Sequence, residues 1–254
     1  MRSRPGHVLA WLIAQVSDVS PCEPLSPIII SMNRLPALLL LSAALLPAED
    51  WHALFNGKTL DGWEIRGDST WTVLKDGTLL GQRPHDNPFK EWPISRDQYN
   101  AWTGPQSWLY TTADFDQFDL HAEYLNPPRG NSGISIRDTS RAKYALTGPD
   151  HDSNRTPAHI GYEIQILANS GAEKYPTGSV YLFVPAKTGF QHEDDWNSLD
   201  IESRHDMIRV HLNGQLVAES PGDPARSKTG PIGLQLHDRF TWIMFRNIKI
   251  KEIR

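Results

Sequence analysis

Hydrophobic and polar residues alternate in short segments along the chain after residue 50, which is the pattern of half-buried β-strands. In the segment Met207–Leu212, the apolar residues Ile208, Val210 and Leu212 lie on one side and polar residues lie between them. The pair Asn213-Gly214 follows this segment directly. Because a type I′ turn needs positive φ at both central residues, Asn-Gly at this place predicts a β-hairpin.

The same alternation predicts about a dozen short strands and no convincing helix. Strands of this length and spacing are typical of a β-sandwich or a β-barrel. Two stretches, 83–106 and 138–160, are long enough to be functional loops, although the polar composition of the second also fits disorder. The predicted strands are Trp71–Lys75, Thr78–Gln82, Ser107–Thr112, Phe118–Leu125, Gly133–Arg137, Tyr162–Leu167, Ser179–Val184, Leu199–Ser203, Met207–Leu212, Gln215–Glu219, Ile232–His237 and Thr241–Ile253.

Composition and charge exclude two classes of protein. The 254 residues include 30 acidic and 25 basic side chains, and the formal net charge is −5 without a Lys/Arg cluster. A nucleic-acid-binding protein needs a basic surface that neutralises phosphates, so this class is excluded. Cys22 is the single cysteine of the sequence, which excludes a framework of intrachain disulfides. A chain of this length can still bury a core of stabilising size.

Residues 32–48 have the features of a secretory signal peptide. Met32 and Arg34 precede the apolar run Ala37–Leu46, and the small residue Ala48 follows it. The run is too short to span a bilayer comfortably, although a buried core helix or a membrane anchor remains an alternative. We therefore expect one of two situations for residues 1–31. Either translation starts at Met32 and 1–31 are not part of the native protein, or 1–31 are a dispensable extension. Cleavage after Ala48 would release 49–254 as a periplasmic or secreted domain without a stable membrane span.

Four predicted strands each place two polar residues on one face. Period two forces this separation from the apolar residues of the same strand. A solvated outer sheet face is one explanation of such a pattern. Interleaved Gly and Ser residues and nearby tryptophans favour a sugar-binding groove, because hydroxyl groups need paired donors and acceptors and sugar rings need an apolar plate. The four pairs are His121 with Glu123, Ser135 with Arg137, Glu163 with Gln165, and Gln235 with His237.

A series of short motifs resembles the 3-keto-disaccharide hydrolase domain family, formerly a domain of unknown function. The motifs occur in the order of that family from about residue 51 to 254, so the resemblance covers nearly the whole proposed domain. Each motif is weak alone, whereas the ordered set is specific. They are Leu54-Phe55-Asn56-Gly57-Lys58-Thr59-Leu60-Asp61-Gly62-Trp63, Gly130-Asn131-Ser132-Gly133-Ile134, Gly161-Tyr162-Glu163-Ile164-Gln165-Ile166-Leu167, Pro176-Thr177-Gly178, Trp196-Asn197, Leu212-Asn213-Gly214, Gly230-Pro231-Ile232-Gly233-Leu234-Gln235-Leu236-His237 and Phe245-Arg246-Asn247-Ile248.

The resemblance implies a concanavalin A-like jelly-roll β-sandwich of two antiparallel sheets, with the site on the concave sheet. It also implies action on glycosides that are oxidised at C3. The stretch 83–106 is longer and richer in Trp than the family leads us to expect. Retaining glucanases of the same fold resemble one another in a Glu-x-Asp-x-x-Glu strand, whereas here Glu163 is followed by Gln165 and Ala168. A retaining glycosidase needs two carboxyl groups about 5–5.5 Å apart, so conventional glucanase chemistry is a poor fit.

A 3-keto sugar allows a different reaction, because the ketone acidifies the hydrogen on C2. We expect Glu163 or His237 to act as the base, the other to protonate the leaving oxygen, and Arg137 to stabilise the enolate. The alternatives are a surface histidine at 237 and a cross-strand ion pair between Arg137 and Glu163. The expected substrate-binding residues are Glu123, Asn131, Gln165, Lys187 and Gln235 for hydroxyl groups, and Trp196 as a ring platform.

The expected ligand is an oxidised glycoside or another carbohydrate, supplied where needed by a sugar 3-oxidoreductase. No cofactor and no metal site are predicted. The loop 151–154 offers oxygen and nitrogen ligands for Ca²⁺, but it lacks the spacing of a calcium-binding motif. The alternative function is a non-catalytic, lectin-like carbohydrate-binding domain, since the fold alone never establishes catalysis.

Overall fold

Two antiparallel β-sheets form the part of the chain that the computed structural model describes, residues 50–86, 88–168 and 173–253. The proposed extension 1–31 and signal peptide 32–48 lie outside the described residues. In chain order the strands are β1 (His52–Ala53), β2 (Trp63–Arg66), β3 (Thr70–Val73), β4 (Leu79–Gln82), β5 (Ser107–Thr111), β6 (Phe118–Leu125), β7 (Asn131–Ile136), β8 (Tyr162–Leu167), β9 (Asn197–Ser203), β10 (Met207–Leu212), β11 (Gln215–Pro221), β12 (Ile232–Leu236) and β13 (Ile243–Glu252). Two helices, α1 (Arg96–Thr103) and α2 (Pro157–Ile160), lie in the connections.

The larger sheet has the strand order β11-β10-β9-β6-β13-β4-β3, with β1 paired to β13, and the smaller sheet has the order β2-β5-β12-β7-β8. All of these pairs are antiparallel. The predicted all-β jelly-roll sandwich is therefore confirmed. No helix among the described residues is long and apolar enough to cross a membrane.

The hydrophobic core lies between the sheets and follows the predicted alternation. Along β6, every second residue from Phe118 to Tyr124 is buried, and the residues between them are half-buried. Ile134 and Ile136 of β7 are fully buried in the same apolar cluster. Burial of each such side chain stabilises the fold by roughly 1.5–3 kcal/mol, so the core holds the sandwich together without disulfides.

The second face of the smaller sheet is covered rather than open to solvent. Strands β5 and β12 are buried at every position, so both of their faces are shielded. The stretch 138–160 packs onto Trp108 and Tyr110 through Ala142 and Ala145. The Asp138 carboxylate holds this stretch in place, because it accepts hydrogen bonds from the Tyr110 hydroxyl and from the backbone N–H of Ala142. Polar residues on this face are therefore enclosed.

Most element predictions agree with the structure, and the exceptions have local causes. The hairpin at Asn213-Gly214 is confirmed, with φ of 50° and 77°. The helix α1 was not expected; Ser95 and Gln98 form a capping box at its start. The predicted strand Ser179–Val184 is wrong, because Leu182 has a positive φ and Val180 makes only isolated bridges. The short strands β1 and β2 were not expected either.

We predict that Gly214→Ala destabilises the fold by about 1 kcal/mol, because φ at this position lies in the left-handed region. An added Cβ would meet no atom within 4 Å, so the loss reports backbone strain alone. The measurement is the urea midpoint of unfolding. The matched control is Gln215→Ala, which changes the exposed neighbour and should leave the midpoint unchanged. Equal midpoints for both variants would contradict the prediction.

Candidate functional site

A polar cavity of about 220 Å³ lies against the covered face of the smaller sheet. Strands β7 and β8 form its floor, the residue after β12 closes one side, and the stretch 138–160 forms its wall. We call it the polar cavity. It is lined by Gly104, Gln106, Asn131, Ala145, His151, Ser153, Thr156, His159, Glu163, Gln165, Tyr181 and His237.

Two glycines make room for large side chains on the covered face of the smaller sheet, one of them in the cavity floor. Gly133 pairs with Gln165 across β7 and β8, and a Cβ on it would lie 2.9 Å from Oε1 of Glu163. A Cβ on Gly233 would lie 2.5 Å from the ring of Tyr110. Replacement of either glycine would therefore push a functional or supporting side chain off the sheet. This explains physically why glycine interrupts both strands.

Glu163 is the buried acid of the polar cavity. Its side chain is only 4% exposed, and no ion pair of Glu163 with Lys or Arg occurs among the described residues. Burial raises the pKa of Glu163 to about 8, and the neighbouring Gln235 amide offsets this only in part. A carboxyl group with such a pKa holds its proton at neutral pH and can act as a general acid.

Burial favours the neutral form of His237 as well, but for an imidazole the neutral form is the unprotonated one. His237 lies directly after β12, is half-buried and lines the polar cavity. Burial lowers the pKa of His237; Asp238 opposes this shift, and Arg83 adds to it. The imidazole is therefore neutral at pH 7 and can accept a proton. The polar cavity thus combines a protonated carboxyl group with an unprotonated imidazole.

Three titratable side chains of the cavity were not among the catalytic or substrate-binding residues predicted from the sequence. His159 lies on α2, and burial lowers its pKa while Nδ1 lies 2.8 Å from the hydroxyl oxygen of Thr156. Tyr181 donates its backbone N–H to the carbonyl of Glu163, and burial together with the Glu163 charge raises the pKa of its hydroxyl group. His151 projects from the stretch 138–160. These residues follow no strand periodicity, so alternation could not reveal them.

The structure brings four of the predicted site residues to the polar cavity. Asn131, Glu163, Gln165 and His237 all line it, and Nε2 of Gln165 donates to Oδ1 of Asn131 over 3.3 Å. Gln235 is close by, but it is completely buried beside Glu163 and does not line the cavity wall. It is therefore placed to influence Glu163 and not to touch a ligand.

Arg137 does not lie where the alternation placed it. Its φ is 61°, so the strand geometry ends there and the side chain leaves the face of Ser135. The guanidinium group is buried, and Nη2 donates to the carbonyl of Arg204, which follows a strand of the larger sheet. Arg137 therefore supports the junction between the sheets. Arg137 does not line the polar cavity, and no ion pair between Arg137 and Glu163 occurs among the described residues.

Glu123, Trp196 and Lys187 also lie away from the polar cavity, contrary to expectation. The Glu123 carboxylate accepts hydrogen bonds from Arg246 at 2.5 Å and Asn247 at 2.6 Å on the larger sheet. The guanidinium of Arg246 lies 4.0 Å from the ring centroid of Trp196. Lys187 lines a separate cleft beside Phe190 and Leu212. Alternation identifies the polar face of a strand, but it does not identify the sheet to which the strand belongs.

The loop 151–154 is held by its own hydrogen bonds. Oδ1 of Asp152 accepts the backbone N–H of Asn154, and Nδ1 of His151 lies 3.1 Å from the carbonyl oxygen of Leu146. Within 50–86, 88–168 and 173–253, no three His, Cys, Asp or Glu side chains are close enough to one another to hold a metal ion.

Solved structures with the same fold include several carbohydrate-related proteins. A protein of Parabacteroides distasonis described as a "putative glycosyl hydrolase" is 21% identical, with a TM-score of 0.58 over 81% of this chain and 95% of that chain. The carbohydrate-binding module CBM66 of Bacillus subtilis is 16% identical, with a TM-score of 0.50 over 75% of this chain and 96% of that chain. At these identities the likeness shows the fold alone.

Comparison with curated proteins finds no match. The model of one family, the 3-keto-alpha-glucoside-1,2-lyase-like domain, matches residues 50–251. This range contains β1 to β12, all of β13 except Glu252, and every residue of the polar cavity. The chain therefore belongs to the 3-keto-alpha-glucoside-1,2-lyase-like family, in agreement with the resemblance of its motifs.

Proposed function

We propose that this protein cleaves 3-keto glycosides by eliminating the substituent on C1. The observation that carries the proposal is the buried Glu163 carboxyl group, which faces the same small polar cavity as the neutral imidazole of His237. Family membership supports a carbohydrate substrate and glycoside-cleaving activity. The cavity is smaller than the roughly 300 Å³ at which pockets for drug-sized ligands begin, so it suits a single sugar ring.

The chemistry follows from the ketone on C3. A base removes the hydrogen from C2, and the electron pair left behind delocalises onto the C3 oxygen as an enolate. When the enolate collapses, the bond between C1 and the glycosidic oxygen breaks, and an acid protonates that oxygen. Addition of water to the resulting enone completes a net hydrolysis. The site must therefore supply one base, one acid and a hydrogen-bond donor for the enolate oxygen.

The protonation states favour one of the two assignments that the sequence left open. Neutral His237 accepts the C2 proton, and protonated Glu163 donates to the leaving oxygen. The Tyr181 hydroxyl, which its raised pKa keeps protonated, donates a hydrogen bond to the enolate in the place first given to Arg137. Asn131 and Gln165 bind sugar hydroxyl groups. Gln235 lies buried beside Glu163 and acts on the pKa of its carboxyl group.

Neither competing function accounts for the buried acid equally well. A conventional retaining glucanase needs two carboxyl groups in one cavity, and Glu163 is the single carboxylate among the described residues that line this one. A carbohydrate-binding domain would gain nothing from a carboxyl group kept protonated by burial. Burial of an acid without an opposing cation is costly, and such groups cluster at catalytic sites.

The proposal also places the protein in a short reaction sequence. Because the ketone on C3 arises by oxidation of the corresponding alcohol, a sugar 3-oxidoreductase must act first on the same glycoside. If residues 32–48 serve as a signal peptide, the elimination takes place in the periplasm or outside the cell.

We predict that Glu163→Gln lowers kcat on a 3-keto glucoside by at least about 100-fold, because an amide cannot transfer a proton to the leaving oxygen. The measurement is aglycone release from α- and β-glucosides with and without prior oxidation at C3. The matched control Glu123→Gln alters a carboxylate on the larger sheet and should leave kcat unchanged. Full activity of Glu163→Gln would remove Glu163 from the mechanism. Binding of the oxidised glucoside by wild type without release would identify a carbohydrate-binding domain instead.

We also predict a bell-shaped pH dependence of kcat/KM. Activity rises as His237 loses its proton, at a pH below the ordinary histidine pKa of about 6.5, and falls near pH 8 as Glu163 loses its proton. The residual activity of Glu163→Gln should lack the alkaline fall. An unchanged alkaline limb in that variant would assign the limb to another group.

The raised pKa of Glu163 predicts a pH-dependent stability difference. Its pKa is about 8 in the folded protein and about 4.3 in the unfolded chain, so the folded state binds more protons between these values. The contribution of Glu163 to stability therefore falls as the pH rises from about 4 to 8. The Tm of Glu163→Gln relative to wild type should increase by more than about 2 °C between pH 5 and pH 9.

Glu123→Gln is the control for this measurement, because the pKa of Glu123 is shifted in the opposite direction to that of Glu163. Burial alone would raise the pKa of Glu123, but hydrogen bonds from Asn247 and Arg246 outweigh it and hold the pKa below its usual value. Glu123 therefore adds stability at neutral pH that is lost in acid, and its replacement should lower Tm most at higher pH. A pH-independent Tm difference for Glu163→Gln would show that its carboxyl group ionises normally.

A further inference from the structure

A second, wider groove opens beside the polar cavity. Its volume is about 770 Å³, and it shares Gly104, Asn131 and His237 with the polar cavity. The two hollows therefore adjoin at His237, the side chain assigned as the base. We call the second hollow the aromatic groove, because Tyr99, Phe240 and Trp242 line it.

Exposed aromatic side chains are concentrated at this groove. Six large hydrophobic side chains are exposed among the described residues, and Tyr99, Phe240 and Trp242 are three of them. Phe240 is 60% exposed although it lies only three residues beyond His237. Clustered exposed apolar side chains mark binding sites, whereas singly scattered ones need no explanation.

Two of the three groove rings, Tyr99 and Phe240, are held in place by Trp102 of α1. The rings of Phe89, Tyr99 and Phe240 each meet the Trp102 ring edge to face, with centroids 5.9, 6.2 and 5.9 Å away. Nε of Arg239 donates to the Trp102 carbonyl over 2.8 Å. The Trp-rich stretch 83–106 is thereby fastened to the loop after β12. A fixed aromatic wall binds a flat ligand at a low entropic cost.

Several polar groups of the aromatic groove are already occupied by hydrogen bonds within the protein. The Asp238 carboxylate accepts the backbone N–H groups of Phe240 and Thr241 and the hydroxyl of Thr241. The Thr103 hydroxyl donates to the carbonyl of Tyr99, and Pro127 and Pro128 have no backbone N–H. Arg129 is the exposed charged side chain at this groove. Because three exposed aromatic rings and two prolines supply its apolar lining, the groove suits a flat apolar group better than a second sugar, whose hydroxyl groups need hydrogen-bonding partners.

We propose that the aromatic groove is the leaving-group subsite and that it selects glycosides with an aromatic aglycone, whose ring packs against Phe240 and Trp242. This inference rests on the proposed function. In the reaction, the bond between C1 and the aglycone oxygen breaks, its electron pair goes to that oxygen, and the proton of Glu163 follows. His237 takes the C2 proton. The products are the free alcohol or phenol and the enone of the sugar.

The test compares benzyl and methyl 3-keto-glucosides, because benzyl alcohol and methanol are leaving groups of nearly equal acidity. Wild type should show a kcat/KM at least about tenfold higher for the benzyl substrate. Trp242→Ala and Phe240→Ala should each remove much of this preference and leave the methyl substrate unaffected. The matched control Ile65→Ala shortens an exposed apolar side chain outside the groove and should change neither value. Thermal unfolding of each variant verifies that its fold is intact.

The possible outcomes separate this inference from the proposed function. Equal kcat/KM values of wild type for the benzyl and methyl substrates would overturn the aromatic subsite. So would an equal loss of kcat/KM for both substrates in Trp242→Ala and Phe240→Ala. Either result would leave the proposed elimination unaffected. A stronger preference for 3-keto-trehalose than for the benzyl substrate would show that the groove holds a second sugar, which also overturns it. Cleavage of none of the three substrates by wild type would refute both proposals.

Discussion

Burial of the Glu163 carboxyl group without an opposing cation is the condition on which the proposed chemistry depends. Burial raises the pKa of this carboxyl group to about 8, because the charged form loses its solvation and the Gln235 amide offsets this loss only in part. Gly133 allows this arrangement, since any larger residue there would press on the carboxylate. The structure thus accepts a loss of stability at alkaline pH and keeps a proton donor at neutral pH.

The covering of the smaller sheet maintains that environment. Antiparallel sandwiches commonly leave one sheet face in water, which would return the pKa of Glu163 to its ordinary value. Here the stretch 138–160 packs onto Trp108 and Tyr110, and Asp138 holds its turn through buried hydrogen bonds. The stretch 138–160 therefore helps to keep Glu163 out of water and its pKa raised. His151 and His159 reach the polar cavity from this stretch.

In the proposed reaction, the two adjoining hollows would bind different parts of one substrate. The polar cavity carries hydrogen-bonding side chains and suits a sugar ring, whereas the aromatic groove carries three exposed aromatic rings. His237 borders both, at the place where the bond to the leaving group would lie. Such a division allows the sugar chemistry to stay constant while the groove residues select the aglycone.

The sequence by itself determined the sandwich, most strand positions, the Asn213-Gly214 turn and the facing of Glu163, Gln165 and His237, because period-two alternation and turn chemistry are local. Only the tertiary structure decided which faces meet. Glu123 and Glu163 look alike in sequence, yet the first pairs with Arg246 on one sheet and the second is buried beneath a loop on the other. The positive φ of Arg137 turns its side chain away from the strand face that the alternation predicted. Strand order and loop packing arise from contacts between distant residues, and these contacts set solvation and hence the charge of each site residue.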